Sequence, residues 1–229
     1  MAVRPVFIPM FYENALSVTK DIDFKWAAGM AKVQKQKSIR ALHEAASAQG
    51  LNNLLEISSK SEDEQGIALS AFNLKIKTKL LAKEFTVESA FQASKVFENG
   101  GPYVDLLDKD SRESKQDIRL KESGNLTAFK FYKTTWPLIP RTAFYDWLYL
   151  SALNQNKKLA EYLLNFDGFT DIEFNPAKSI NCQARSAALY VSLVKRHMLN
   201  NALSSQKNFL SVLSSHYGVE SFSIQNQLL

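Results

Sequence analysis

The chain has 229 residues, 45% of them hydrophobic, with 8 glycines and 6 prolines, a composition that fills a core and excludes a disordered or collagen-like chain. A net charge of +5 admits an anionic partner such as nucleic acid without requiring one, and a single cysteine excludes an internal disulfide framework and suits a reducing compartment. No apolar run reaches the ~18 residues of a membrane span, and Pro5, Pro9 and Glu13 interrupt what would be the apolar core of a signal peptide, so a soluble cytoplasmic protein is expected, with no membrane partner.

Val3 to Pro9 is a short apolar run holding Pro5 and Pro9, which suits an edge strand or an arm. Ser17 to Trp26 alternates through Val18, Ile22, Phe24 and Trp26 and reads as a strand. A helix is expected from Ala31 to Gln49, stopped by Gly50, with Lys32, Lys35, Lys37 and Arg40 on its polar side. Such a strip is either a solvated flank or a phosphate-facing surface. Leu54 to Ser58 reads as a strand, the polar run Ser59 to Gly66 as a turn, and Ile67 to Ile76 as the partner strand of a hairpin.

The most informative stretch is Thr86 to Phe97, closed by Asn99-Gly100-Gly101-Pro102. It reads as one short helix, with Thr86 as its cap, Glu88 in its first turn, and a Gly-Gly-Pro stop. On that helix Glu88, Gln92 and Lys95 fall within about 60° of one another. Val87, Ala90, Ser94 and Phe97 lie opposite, where they can pack. One face then carries an acid, an amide and an amine in a row. Solvent is the ordinary surrounding for such residues.

Tyr103 to Lys133 is dense in charge and reads as an inserted, partly helical segment on which Arg112, Lys115 and Arg119 would share a face. Phe129 to Pro140 reads as an aromatic loop, Arg141 to Asn154 as a nearly buried apolar helix, and Lys157 to Phe166 as a shorter amphipathic one. Phe169 to Phe174 suits a strand or a turn. A helix follows from Gln183 to Leu199, then one from Asn201 to Tyr217, then a frayed tail. His43, His197 and His216 lack metal-ligand spacing, no glycine-rich phosphate loop is present, and Cys182 suits a structural thiol.

Glu88-x-x-Phe91-Gln92-x-x-Lys95-x-Phe97, entered by Thr86-Val87, resembles the signature helix of the NADAR family, roughly Thr-x-Glu-His-x-Phe-Gln-Ala-x-Lys-Phe. Ser89 stands where the family has His, and Val96 is inserted before the final Phe. Leu69-Ser70-Ala71-Phe72 is similar to the family's Phe-Ser-Asn-Phe element, with Ala71 for the Asn and Asn73 two places on. Asp171-Ile172-Glu173-Phe174 and the helix ending at Arg196 resemble its Asp-x-x-Trp and final helix, with Phe174 for the Trp. The stretch Gln34 to His43 resembles the branch that accompanies a DarT-type DNA ADP-ribosyltransferase toxin.

The resemblance implies an α+β fold, a predominantly helical single domain with a small hairpin or sheet. It divides the chain into an N-terminal extension with a helix (1–50), a catalytic region (51–200), and a C-terminal helix and tail (201–229). It implies an N-glycosidase that frees guanine in DNA from ADP-ribose as the antitoxin of a toxin–antitoxin pair, without metal or cofactor. The alternatives are hydrolysis of a riboflavin-pathway intermediate and a non-catalytic antitoxin or DNA-binding protein. Breaking an N-glycosidic bond builds positive charge at the anomeric carbon while the leaving nitrogen gains a proton. Glu88 and Asp171 are the expected acid pair, and Lys95 is either a Schiff-base nucleophile or a ligand. Ser59, Ser70, Asn73 and Gln92 are expected to hold the ribose or pyrophosphate, and Trp136 and Phe174 to stack on a base.

Overall fold

The computed structural model describes residues 1–12, 14–78 and 83–216. Strands β1 (Ala2–Pro9) and β2 (Ser17–Phe24) pair antiparallel, with Ala2 opposite Phe24 and Pro9 opposite Ser17. Helix α1 (Lys32–Ser47) follows, then β3 (Leu54–Glu56) and α2 (Glu64–Ala68). Next come β4 (Lys75–Thr78), β5 (Lys83–Thr86), α3 (Val87–Ala93) and β6 (Lys95–Phe97). A 3-10 turn at Val104–Asp108 leads into α4 (Ser111–Gln116), α5 (Arg119–Glu122), β7 (Leu126–Phe131) and β8 (Thr134–Trp136). The chain continues through α6 (Ala143–Gln155), α7 (Lys157–Leu163), β9 (Gly168–Thr170), α8 (Gln183–Lys195), α9 (Leu199–Leu203) and α10 (Gln206–His216). The fold is α+β and forms one body.

Its largest sheet has the order β2-β1-β9-β3, with β9 parallel to β3 and antiparallel to β1. Alternation along the strands sends successive side chains to opposite faces. Val6 and Leu54 face α1 with Ile22, Phe24, Ile39 and Leu42, while Phe7, Leu55 and Phe169 face the main core beneath α6 and α8. Strands β1 and β2 therefore pack against residues more than a hundred positions away, since Phe7 bridges Phe169.

Several expectations are corrected here. β1 is an interior strand, not an edge or arm; its two prolines are tolerated because β9 is short and meets β1 only at Phe7. The expected hairpin of Leu54–Ser58 with Ile67–Ile76 does not form. Asp63 accepts from the N–H groups of Gln65 and Gly66 and so starts α2 inside the expected turn, running into the first residues of the expected strand and leaving β3 to pair with β9. The signature helix stops at Ala93, because the β-branched and aromatic Val96 and Phe97 join a strand that pairs with β7, and the Ser94 carbonyl accepts from Lys130 N at 2.7 Å. The aromatic loop is in fact the β7–β8 hairpin, which turns Phe129 and Trp136 inward.

Two helices are shorter than their patterns. The one from Gln183 ends at Lys195, with His197 in the left-handed region at φ 56°. The last one is split at Ser204–Ser205, where Ser205 Oγ accepts from Asn208 N and opens a new helix. The tail from Gly218 lies outside the described residues.

Phe7 is 4% exposed and stands where β1, β9 and the ring of Phe174 meet, the two ring centroids lying 6.2 Å apart. Phe7→Ala is expected to cost about 3–5 kcal/mol, read as a lower urea midpoint with an unchanged slope. A variant as stable as the parent would mean that the N-terminal strands are not integral to the fold.

Candidate active site

α3 is the shortest route to the site, and all of its residues are buried. Its position is fixed by the preceding chain: Val87 N donates to Leu74 O and Glu88 N to Ala71 O, both at 2.9 Å. Thr86 Oγ1 caps the helix by accepting from Ser89 N. Glu88 and Gln92 are each only 5% exposed, so the polar face does not look into bulk water.

Gln92 Nε2 donates to Glu88 Oε1 at 2.9 Å, and Lys115 Nζ stands 3.5 Å from the same oxygen. Glu88 Oε2 carries no hydrogen bond from any described residue. With its nitrogen committed to Glu88, Gln92 leaves its own carbonyl oxygen buried and without a partner. A buried acceptor in that condition costs about 1–3 kcal/mol unless a donor arrives.

Lys95 follows the helix at the start of β6, half-buried, its amine 5.1 Å from the centroid of the Phe91 ring. No described residue hydrogen-bonds or ion-pairs with it. Desolvation lowers its pKa, Glu88 opposes that, and the nearby Lys115 cation adds to it. A larger share of Lys95 is thus neutral, and a neutral amine is the nucleophilic form.

Asp171 comes from the far side of the core. Its Oδ1 accepts from Glu173 N at 3.0 Å and Phe174 N at 3.2 Å, and its Oδ2 from Gln183 Nε2 at 3.0 Å. Gln183 also donates to Ile57 O and accepts from Ala71 N, both at 2.7 Å. Asp171 is therefore tied through one amide to the segment that seats Glu88. Tyr145 of α6 is buried to 6% exposure, its ring edge-on to Phe91 at 5.2 Å. Burial raises the Tyr145 pKa well above its usual value, and the charges of Glu88 and, more weakly, Asp171 add to that.

Behind Asp171 lies a second carboxyl. Glu56 accepts from the Thr170 hydroxyl at 2.6 Å and from Ile172 N at 2.8 Å, and the same hydroxyl meets His43 Nε2 at 2.8 Å. His43 and Glu56 line a cleft of about 320 Å³ under α1, on the other face of the sheet. Burial and the neighbouring Glu56 charge raise Asp171 to about 8.

The remaining expected residues are scattered. Ser70 is buried at 1% exposure just ahead of Ala71, close to the seat of Glu88. Phe174 is half-buried beside Asp171. Ser59 is exposed, and Asn73 is exposed with its amide donating to Ile67 O at 2.9 Å. Trp136 is 1% exposed, enclosed by Phe144, Trp147 and Phe209, so neither face is open to a base. The expected cationic faces are also smaller. Lys35 pairs with Glu173 at 2.9 Å and Arg40 with Glu62 at 2.6 Å. The chain breaks at Asp117, and Arg119 turns to Asp105 and Asp117 instead of lining up with Arg112 and Lys115. Cys182 is buried, and burial pushes its thiol well up.

Sequence reasoning missed Tyr145 and Gln183, and it set Lys115 on a cationic face with Arg112 and Arg119, not beside Glu88. Tyr145 sits within an apolar helical run whose pattern gives every position the look of core, and Gln183 opens a helix as any polar residue can. Only the tertiary contacts single them out.

With this geometry in place, comparison with known families is decisive. Residues 2–221 match the model of the DarT1-associated NADAR antitoxin family. The chain belongs to that family. No curated protein matches it. The NADAR-DarT1 match takes in β1 and β2 as well as α3 and α8. None of the described helices of this family member is long and apolar enough to cross a membrane.

The carboxyl pair has a pH signature. A carboxyl whose pKa is raised by folding contributes stability that is complete at low pH and lost as the pH rises to the folded value. His43 works the other way, since burial lowers it from 6.5 to about 4 and its cost appears as the pH falls through that interval. Above 6.5 the His43 contribution is spent, and the wild type is expected to lose melting temperature as the pH rises toward about 8. Glu56→Gln removes the charge acting on Asp171, while its amide can still accept from Ile172 N and donate to Thr170. Its melting temperature should fall less over that window by calorimetry; an equal fall in both proteins would count against the coupling.

Proposed function

We propose that this NADAR-DarT1 protein is an N-glycosidase that removes ADP-ribose from guanine in DNA, and so reverses the action of a DarT-type toxin. The observation that carries the reading is a half-buried Lys95 amine, unpaired and shifted toward its neutral form, beside the buried Glu88–Gln92 pair. The family's association with DarT1 supports a substrate of the kind such a toxin makes. The charge of +5 is compatible with a DNA partner.

The reaction follows from the groups present. In a ribosylated exocyclic amine the nitrogen lone pair can open the ring, breaking C1′–O4′ and forming an iminium at C1′. The neutral Lys95 amine adds to C1′. A proton passes from Nζ to the guanine nitrogen, the C1′–N bond breaks, and guanine leaves as its free amine. Lys95 is left as an imine, which water hydrolyses to restore the amine and release ADP-ribose. Glu88, through its open Oε2, is placed to move the proton between the two nitrogens. The unpartnered Gln92 carbonyl is an acceptor for a ribose hydroxyl, whose arrival would satisfy it. Phe174, half-buried beside Asp171, offers a ring on which a base could stack.

Lys95→Ala is expected to abolish turnover of a guanine-ADP-ribosylated oligonucleotide, and Glu88→Gln to lower it by about 100-fold or more, with melting temperatures near wild type. Borohydride should trap a covalent adduct with the wild type and none with Lys95→Ala. Full turnover by both variants in a gel-shift assay would overturn the proposal.

A further inference from the structure

Two tyrosines of α6 stand one turn apart in the core and differ in one respect. The Tyr149 hydroxyl donates to Leu69 O at 2.8 Å, whereas no described residue hydrogen-bonds to the hydroxyl of Tyr145. Tyr145 is nonetheless 6% exposed and rests edge-on against Phe91, whose ring also carries the Lys95 amine. Its hydroxyl feels the charges of both Glu88 and Asp171. A phenol held by packing alone, with its polar end left open among the reacting groups, has the position of a donor to substrate.

We propose that Tyr145 is a further catalytic residue, the general acid that protonates the ribose ring oxygen as the sugar opens. The inference rests on the glycosidase reading above and adds the step that reading leaves without a donor. When C1′–O4′ breaks, the bonding pair stays on O4′, and the phenol O–H proton moves to it. This leaves an iminium at C1′ and a phenolate on Tyr145, opposite charges created side by side. After Lys95 has displaced guanine, water adds to the lysine imine, and the proton that water loses returns to the phenolate. Atoms and charge then balance over the cycle, and the enzyme is regenerated. Burial and the nearby Glu88 carboxylate keep Tyr145 protonated at working pH, so it enters each turnover as a donor.

The test compares wild type, Tyr145→Phe, Tyr149→Phe and Lys95→Ala on a guanine-ADP-ribosylated oligonucleotide. Binding, single-turnover rate, borohydride trapping and melting temperature are measured for each. Tyr145→Phe removes only an unpartnered hydroxyl, so it should melt and bind like wild type while its single-turnover rate and rate of trapping fall together by about 100-fold or more, the range of general-acid catalysis. Tyr149→Phe loses a structural hydrogen bond and should melt lower while turning over normally once folded. Wild-type rate in Tyr145→Phe, with Lys95→Ala inactive, would overturn the role of Tyr145 and leave the glycosidase reading standing. Slow turnover with undiminished trapping would also overturn it, because ring opening precedes the imine. An inert wild type would remove the glycosidase reading, and the role of Tyr145 with it.

Discussion

Gln183 accepts from Ala71 N, donates to Ile57 O and donates to Asp171 Oδ2, and each of these contacts is made between buried groups. Ala71 in turn receives Glu88 N on its carbonyl. One side-chain amide thus joins the exit of β3, the turn before β4, the cap of α8 and, through Ala71, the first turn of α3. Glu88 and Asp171 lie far apart in sequence, and this link sets their separation. In a dry interior each of these bonds is stronger than it would be in water, and each orphaned partner would cost more. The amide is fully used, so any shift of α8 against α3 leaves a buried group unmatched.

The charges gathered around that link could not coexist in a core without help. Glu88 has the Gln92 amide and the Lys115 ammonium, while Glu56 has a hydroxyl and a backbone N–H. Asp171 takes three donors, yet burial and Glu56 still raise it to about 8. Lys95 has no hydrogen bond or close ion pair from its amine to any described residue; it rests on the face of Phe91 and feels Glu88 only at a distance. Elsewhere in the fold buried charges are paired off, as when Asp146 receives Arg185 and the Ser186 hydroxyl. Orphaned buried atoms also occur elsewhere, at Arg4 Nε, Trp136 Nε1 and Asn181 Oδ1, but around the Phe91 ring the Lys95 amine, the Tyr145 hydroxyl and the Gln92 carbonyl gather, and there a ligand would relieve the cost.

The sequence made the acid–amide–amine cluster legible, but for a reason that is only partly true. Helical spacing placed Glu88 and Gln92 together, and they do lie on one face of α3. Lys95 reaches the same place from a strand, because Val96 and Phe97 are needed by the sheet with β7. Local rules gave the apolar helix at α6 and the alanine-rich face of α8 closely, since burial there is all that decides them. They failed where a long-range partner decides. β3 reads as half of a hairpin until β9 arrives from residue 168, and β1 reads as an edge until Phe169 is beside Phe7. Trp136 shows the limit of residue type as evidence, for an aromatic suited to stacking a base is equally suited to filling the space between α6 and α10.

The departures from the family pattern have physical consequences of their own. Where the family carries Asn, the Ala71 side chain is 2% exposed and offers no polar group, so only its backbone takes part, toward Gln183 and Glu88. Asn73 does not replace it, being exposed and spent on Ile67 O. The amide chemistry on this side of the site falls instead to Gln92, which already steadies Glu88 with its nitrogen and has only its oxygen to give. That polarity matters: an acceptor without a matching donor selects hydroxyl and N–H groups of a ligand and disfavours its carbonyls and phosphate oxygens. Phe174 in place of Trp keeps a ring beside Asp171 but removes an indole N–H. The donors left open, the Lys95 amine and the Tyr145 hydroxyl, both belong to side chains that rest against the Phe91 ring, so donor capacity gathers around Phe91 and not around Phe174.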